Sequence, residues 1–224
     1  MQELLRQVVP LALAAAVSPT VLAVAVLTLT ASRRPVARGV LFTVGVFVVV
    51  GVLTVLGLTV MAHVTDHPSA TRRAVSDGVD VVFGLVLLTL AARSAFRRRS
   101  DHTDEPVAAP NDDHAARTGL GAAFVTGLVM MATNVTSIVL YLPAMKEVTK
   151  SEVSETDKAI ATVLAMLLVS LPAWLPVLLR VIAPGPSQRV LTRLNTTIQR
   201  HQHTIVLTVE VLFGVYLLAK GLQV

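Results

Sequence analysis

Two polar clusters interrupt long apolar stretches of this chain, and their residue types suit the binding of a substrate or an ion. The first is Ser18-Pro19-Thr20, which lies near the middle of an uncharged apolar run from Val8 to Thr30. Proline inside a helix removes a backbone hydrogen bond and clashes with the preceding turn. Within lipid, the freed carbonyl must be satisfied by protein, by a hydroxyl or by cavity water. We therefore expect a broken helix and a substrate-binding role here, with a packing kink as the alternative.

The second cluster places four polar residues within five positions. Polar side chains are costly in lipid, so these should face the protein interior or a cavity. Substrate binding is one interpretation, and hydrogen bonding between helices is the other. The residues are Thr133, Asn134, Thr136 and Ser137.

Glu210 is the most informative ionisable residue, because it lies inside the last apolar stretch with no charge nearby in sequence. A carboxyl at that depth favours a proton-coupling role, and a paired or protonated structural carboxyl is the alternative. Asp80 is the second proton-coupling candidate. It lies only one turn into its own apolar stretch, where a solvated or capping role is the simpler interpretation.

Two prolines four residues apart, Pro172 and Pro176, should bend the fifth apolar stretch strongly. They are candidates for a hinge, and a static bend is the alternative. Tyr141 lies near the end of the fourth stretch, where we expect it in the aromatic belt at the membrane surface.

Other chemistry finds little support. The absence of cysteine excludes a thiol relay or a thiolate metal site. No Gly-rich phosphate loop, nucleophile–base pair or zinc motif is present. We therefore expect no metal, no cofactor and no enzymatic activity.

The composition is that of an integral membrane protein. The 224 residues are 54% hydrophobic and 15% charged, with a mean hydropathy of +0.70, whereas soluble domains carry about 25% charged residues. The net charge of +5 is explained by arginines in short loops and not by nucleic-acid binding.

Six membrane spans are predicted, joined by polar connections. The longest connection, residues 98–117, is an acidic, mixed-charge linker that divides the chain into a first repeat, residues 1–97, and a second, residues 118–224. The fourth connection carries Lys146, Glu147 and Lys150. The spans are residues 8–30, 36–63, 76–96, 119–144, 156–183 and 203–223.

The basic residues predict the orientation. Twelve of the 19 Lys and Arg residues flank the first, third and fifth connections. Because cytoplasmic loops are enriched in Lys and Arg, both termini should lie outside and the linker inside.

A weak internal repeat suggests how the halves are related. Asp80 and Glu210 each lie three residues before a Phe-Gly pair within a Val/Leu-rich segment. Since each half has three spans, the second copy must be inverted, and inverted repeats with broken helices are typical of secondary transporters. We expect an all-α protein of two inverted three-helix repeats, with broken helices in spans 1 and 4.

Several motifs resemble a known family. Ser18-Pro19, the segment Ser32-Arg33-Arg34-Pro35 and the glycines of span two resemble the lysine-exporter (LysE) superfamily. Asn134 resembles the asparagine of that superfamily's Asn-Pro pair, but Val135 replaces the proline here. Residues 199–222 resemble one branch more closely, the actinobacterial GAP family, which includes the sulfolipid-addressing proteins. The resemblance implies six spans and either export of small molecules or delivery of glycolipids to the cell surface.

These observations predict a plasma-membrane exporter of a small amphipathic substrate, such as a lipid or glycolipid. With no nucleotide motif, its energy source would be an ion gradient or a partner protein. The alternatives are an accessory subunit of a larger lipid exporter, an amino-acid or small-molecule exporter of the LysE type, and a membrane-embedded enzyme. Membrane lipids, the substrate, a larger exporter protein and a second copy of the chain are the partners to consider.

Overall fold

The structure is a computed structural model that describes residues 1–30, 34–65, 69–100, 120–183 and 186–222. Every regular element in these ranges is an α-helix, which confirms the all-helical class. The helices are α1 (Gln2–Ala16), α2 (Pro19–Thr30), α3 (Pro35–Thr65), α4 (Ser69–Ser100), α5 (Leu120–Ala132), α6 (Val135–Lys150), α7 (Glu155–Val169), α8 (Leu171–Ile182) and α9 (Pro186–Leu222).

Three helices are long and apolar enough to cross a bilayer alone, through the segments Pro35–Met61, Gly78–Ala95 and Gln199–Leu222. The other helices form consecutive pairs that meet at an angle: 59° for α1 and α2, 69° for α5 and α6, and 73° for α7 and α8. The described chain therefore has three candidate spans, or six if each bent pair is one span.

The break between α1 and α2 follows from Ser18-Pro19. Proline at the first position of α2 has no N–H to donate, so the ladder of α1 ends there. The hydroxyl of Ser18 accepts a hydrogen bond from the amide of Val21 at 3.4 Å and so caps the start of α2.

The break between α5 and α6 forms without a proline. Asn134 precedes α6, and its Oδ1 accepts a hydrogen bond from the amide of Ser137 at 3.2 Å. An asparagine side chain can replace the missing backbone partner at a helix start, so Val135 can follow it directly. The third break lies at Ser170, two residues before Pro172, which occupies the first turn of α8.

In each half, the element that follows the first broken helix pair packs against the first broken pair of the other half. In the first half, α3 packs on α5 and α6; in the second half, α7 packs on α1 and α8 packs on α2. The last helices of the two halves, α4 and α9, form the most extensive contact.

Glycines allow two of these helix pairs to approach closely. A Cβ on Gly84 of α4 would lie 2.9 Å from the carbonyl oxygen of Gly214 on α9, so neither helix could carry a larger residue there without moving. Gly45 of α3 and Gly127 of α5 allow a second close approach. An added Cβ on Gly45 would meet the backbone of Phe124, and one on Gly127 would meet the backbone of Phe42. Small residues commonly permit such contacts between membrane helices. The two Phe-Gly motifs of the internal repeat therefore meet at the crossing of α4 and α9.

One predicted boundary is wrong. Helix α6 continues to Lys150, so Lys146 and Glu147 are helical and not part of a connection. Charged residues lower a hydropathy window there, although the backbone remains helical. Helix α9 begins at Pro186, but the candidate membrane span within it, Gln199–Leu222, starts close to the predicted start of span six at residue 203. Most of the predicted linker lies outside the described residues, and α4 continues to Ser100.

Candidate substrate site at the helix breaks

The two polar clusters meet. The side-chain amide of Asn134, at the α5–α6 break, donates a hydrogen bond to Ser18 Oγ, at the α1–α2 break, over 2.8 Å. Ser18 is buried, and Asn134 is half-buried. One hydrogen bond therefore joins positions 116 residues apart and connects the two halves.

Ser137 makes a second connection, to the backbone. Its hydroxyl donates a hydrogen bond to the carbonyl oxygen of Ala15 over 2.7 Å, and its side chain is buried. In a continuous helix that carbonyl would accept from the amide four residues later, which is Pro19 and has no N–H. The second polar cluster thus satisfies the carbonyl that the proline of the first cluster leaves free, as a buried helix break in lipid requires.

Glu210 lies beside the same junction. Its Oε1 accepts a hydrogen bond from the hydroxyl of Thr136 over 3.0 Å, and the residue is only 3% exposed. Its Oε2 is buried without a hydrogen-bond partner among the described residues. A buried carboxyl oxygen without a partner is costly if ionised, so the geometry is suited to a group that gains or loses a proton as its surroundings change.

An apolar groove opens at the first break. Its volume is about 240 Å³, below the roughly 300–1,000 Å³ typical of pockets for drug-sized ligands. A groove of this size fits part of a hydrocarbon chain better than a whole amphipathic molecule. It is lined by Ala16, Val17, Ser18, Pro19, Leu22, Leu171, Pro172, Leu175 and Ile205.

A larger groove adjoins the first one along α9. The two grooves share Ile205, and the second has a volume of about 520 Å³. Thr197, His201, Thr204 and Thr208 line it at spacings of four, three and four residues, which places them on one face of the helix. All four are exposed, and all but Thr197 lie within the candidate membrane span Gln199–Leu222.

Some predicted site residues do not join this junction. Thr20 is exposed, and Thr133 is exposed with its hydroxyl bonded to the carbonyl of Val129 in its own helix. Pro172 lines the apolar groove, whereas Pro176 is buried inside α8. The proposed hinge remains a prediction.

The expected solvation of Asp80 is wrong. Asp80 is 1% exposed and forms an ion pair with Lys146 of α6. Lys146 was expected in a connection, two residues beyond the predicted end of span four. Because α6 continues past it, the amine lies inside the helix bundle, where it neutralises the carboxylate.

Two further buried residues with polar groups, Glu147 and Tyr141, were not predicted as part of the interior. The carboxylate of Glu147 forms an ion pair with the amine of Lys220 of α9, over 3.0 Å. Tyr141 is fully buried and lies 2.7 Å from the hydroxyl of Thr54, so its expected place at the membrane surface is wrong. The adjacent opposite charges of Lys146 and Glu147 were visible in the sequence, but their partners were not. Among the described residues, no cluster of three His, Asp or Glu side chains forms a metal site.

The fold defines a membrane protein of apolar helices whose breaks bring polar groups together in the interior. The family model of Sap, the sulfolipid-1-addressing protein, matches residues 8–223, and the chain therefore belongs to that family. Neither a curated protein nor a solved structure gives a match.

Proposed function

We propose that this protein carries an amphipathic lipid across the plasma membrane, with the junction of the two helix breaks as its substrate site. The observation that carries the proposal is the meeting of two grooves at Ile205: the first is lined mainly by aliphatic side chains, and the lining of the second includes three threonines and a histidine. An amphipathic molecule has one part that suits each. The family description, which names a sulfolipid, supports the same class of substrate.

The apolar groove would hold a segment of hydrocarbon chain. Leu22, Leu171 and Leu175 give it an apolar wall, while Ser18 and Pro19 lie at the helix break. Burial of apolar surface favours binding by about 25 cal/mol per Å². A hydrocarbon chain in this groove would reach the junction while the hydrogen bond between Ser18 and Asn134 stays shielded from lipid.

The polar face of α9 would guide the headgroup. Hydroxyls of Thr204 and Thr208 offer hydrogen bonds within the membrane span, and His201 lies closer to its start. Arg193 and Arg200 are exposed near that end of the helix. Their positive charge favours an acidic headgroup.

The arrangement of the halves supports a transporter. In the first half, α3 packs on the broken pair α5–α6 of the second half. In the second half, the corresponding pair α7–α8 packs on the broken pair α1–α2 of the first half, so the two halves make equivalent contacts. Such equivalence is expected of two related halves. With three spans in each half the second would be inverted, and the distribution of Lys and Arg would place both termini outside. In such transporters the substrate site lies where the broken helices of the repeats meet.

Glu210 would couple transport to a proton gradient. It is buried beside the junction and bonded to Thr136, which lies in the second polar cluster. The energy source would then be an ion gradient, and no partner protein would be needed to supply energy.

The test is transbilayer movement of fluorescent lipids in liposomes that contain the purified protein. We expect movement of an acidic-headgroup lipid in wild type, loss of movement in Asn134→Leu, and near wild-type movement in Thr89→Val. Thr89 is exposed and bonds only to its own helix, at Val86, so it controls for removal of a hydroxyl from a span.

Absence of movement in the wild-type liposomes, together with copurification of a large membrane protein from cells, would instead favour an accessory subunit. Comparison of envelope lipids with and without the gene identifies the substrate class in either case. Movement of amino acids but not of lipids would favour a LysE-type exporter.

A further inference from the structure

Four charged side chains from three helices form two ion pairs at the C-terminal end of α6. Lys146 pairs with Asp80 of α4, and the next residue, Glu147, pairs with Lys220 of α9 at 3.0 Å. The side chains of Asp80 and Lys146 are each 2% exposed, that of Glu147 is 8% exposed and that of Lys220 is 28% exposed. The end of α6 is thus held from two sides.

Stability alone does not explain these pairs. Removing two charges from water costs several kcal/mol per ion, and well-packed apolar residues of similar size often stabilise a fold as well or better. In addition, Asp80 Oδ1 is buried without a hydrogen-bond partner among the described residues. Ionisable residues at membrane depth usually serve a function.

The position of the pairs suggests what that function is. The apolar groove lies at the helix breaks, and a separate pocket of about 550 Å³, lined by Val148 and Thr149, lies at the far end of α6. Between them, Tyr141 and Lys146 are among the largest fully buried side chains. The hydroxyl of Tyr141 also lies 2.7 Å from Thr54 of α3. The interior is therefore filled between the junction and that pocket.

We infer that the Asp80–Lys146 and Glu147–Lys220 pairs are a gate, which closes the outer end of the transport path by holding α6 against α4 and α9. The inference rests on the proposed function and adds a moving element to it. When α6 moves away, all four charges become hydrated, so the open state does not leave a charge buried alone. The present structure is the state in which this gate is closed.

The gate predicts a specific pattern in a two-residue cycle. Lys146→Met leaves the buried Asp80 carboxylate without its cation, which disfavours the closed state. Asp80→Asn combined with Lys146→Met removes both charges and should allow closure again. If the ion pair is a gate, the path opens in the single variant and closes again in the double variant. If the substitutions only loosen the packing, the path opens in both variants.

A reporter cysteine measures opening without a substrate. The chain has no cysteine of its own. Val50 is fully buried in α3, one turn before Thr54, and Val50→Cys changes little in volume. Labelling of this cysteine by an impermeant thiol reagent is measured in intact cells. Ser151→Cys, in the connection after α6, reports the maximum rate.

We expect slow labelling of Val50→Cys in the otherwise wild-type chain. Lys146→Met should raise the rate about tenfold, which corresponds to a shift of about 1.4 kcal/mol toward the open state. The double variant should return to about the parent rate. No increase in Lys146→Met, or equal increases in the single and double variants, would overturn the gate.

The second ion pair provides an independent test if Lys146→Met does not reach the membrane. Lys220 is partly exposed, so Glu147→Gln is a milder change, and Glu147→Gln with Lys220→Met is its double variant. The labelling rate of Val50→Cys should rise in Glu147→Gln and return to about the parent rate in the double variant. Because labelling does not depend on lipid movement, a working gate in a protein that moves no lipid would reject the lipid substrate and keep the gate.

Discussion

The hydroxyl of Ser137 donates a hydrogen bond to the carbonyl of Ala15, the group that Pro19 leaves without a partner in its own helix. The chemistry of one break is therefore completed by a residue of the other. This relationship gives the polar cluster at residues 133–137 a structural role, and it gives a direct test of coupling between the halves.

Ser137→Ala should destabilise the protein by about 1 kcal/mol, within the range measured for hydrogen bonds between membrane helices. In a Pro19→Ala background the cost should be smaller, because the new amide can donate to the Ala15 carbonyl. Unfolding in denaturing detergent measures both costs. Equal costs in the two backgrounds would show that the Ser137 bond does not replace the bond lost at proline.

Asn134→Leu should reduce lipid movement about tenfold or more while the protein remains in the membrane, since it removes both the Ser18 contact and the cap of α6. Ser18→Ala should reduce movement as well. If the two changes act through one bond, the double variant should lose less than the sum of the single losses in free energy. Full activity of both single variants would make the junction a packing feature.

Glu210→Gln should preserve folding and substrate binding but remove the dependence of transport on a pH gradient. Glutamine keeps the acceptor for the Thr136 hydroxyl, and it cannot release a proton. Glu155→Gln is the matched control, because that carboxylate is 89% exposed in α7. Gradient-dependent transport at the wild-type rate in Glu210→Gln would exclude the coupling role.

Tyr141→Phe should destabilise the protein by about 1 kcal/mol through loss of its contact with Thr54. Tyr216→Phe should have little effect, since Tyr216 is 43% exposed. Thermal unfolding in detergent compares the two variants. Equal effects would argue against a structural role for the buried hydroxyl.

Orientation is tested with single cysteines. Cysteine at Asp104, a position outside the described residues, should be shielded from an impermeant thiol reagent in intact cells, and cysteine at Ser151 should react. The reverse pattern would place both termini inside, and the gate would then face the cytoplasm.

The sequence predicts best what local chemistry decides. Composition is sufficient for the helical membrane class, and Pro19 marks a break because its effect does not depend on distant residues. The inverted-repeat interpretation, in which broken helices mark a shared site, favours a meeting of the cluster around Asn134 with the first break. Their contact at 2.8 Å agrees with that expectation.

The charged end of α6 was predicted poorly for a physical reason. A hydropathy window treats Lys146 and Glu147 as solvated, whereas each is neutralised by a partner 66 or 73 positions away in sequence. Tyr141 was misplaced in the same way, because its partner Thr54 belongs to the other half. Long-range pairing of this kind leaves no local pattern.

The Ser137–Ala15 bond also has a consequence for biosynthesis. The ribosome adds about 5–20 residues per second, so roughly 6–24 s separate the synthesis of Ala15 from that of Ser137. During that interval the Ala15 carbonyl has no permanent donor from the chain and must be satisfied by water or by the insertion machinery. Helices α1 to α4 should therefore remain near an aqueous translocation channel until α6 arrives, and a ribosome stalled before residue 137 should leave a nascent chain that is readily degraded.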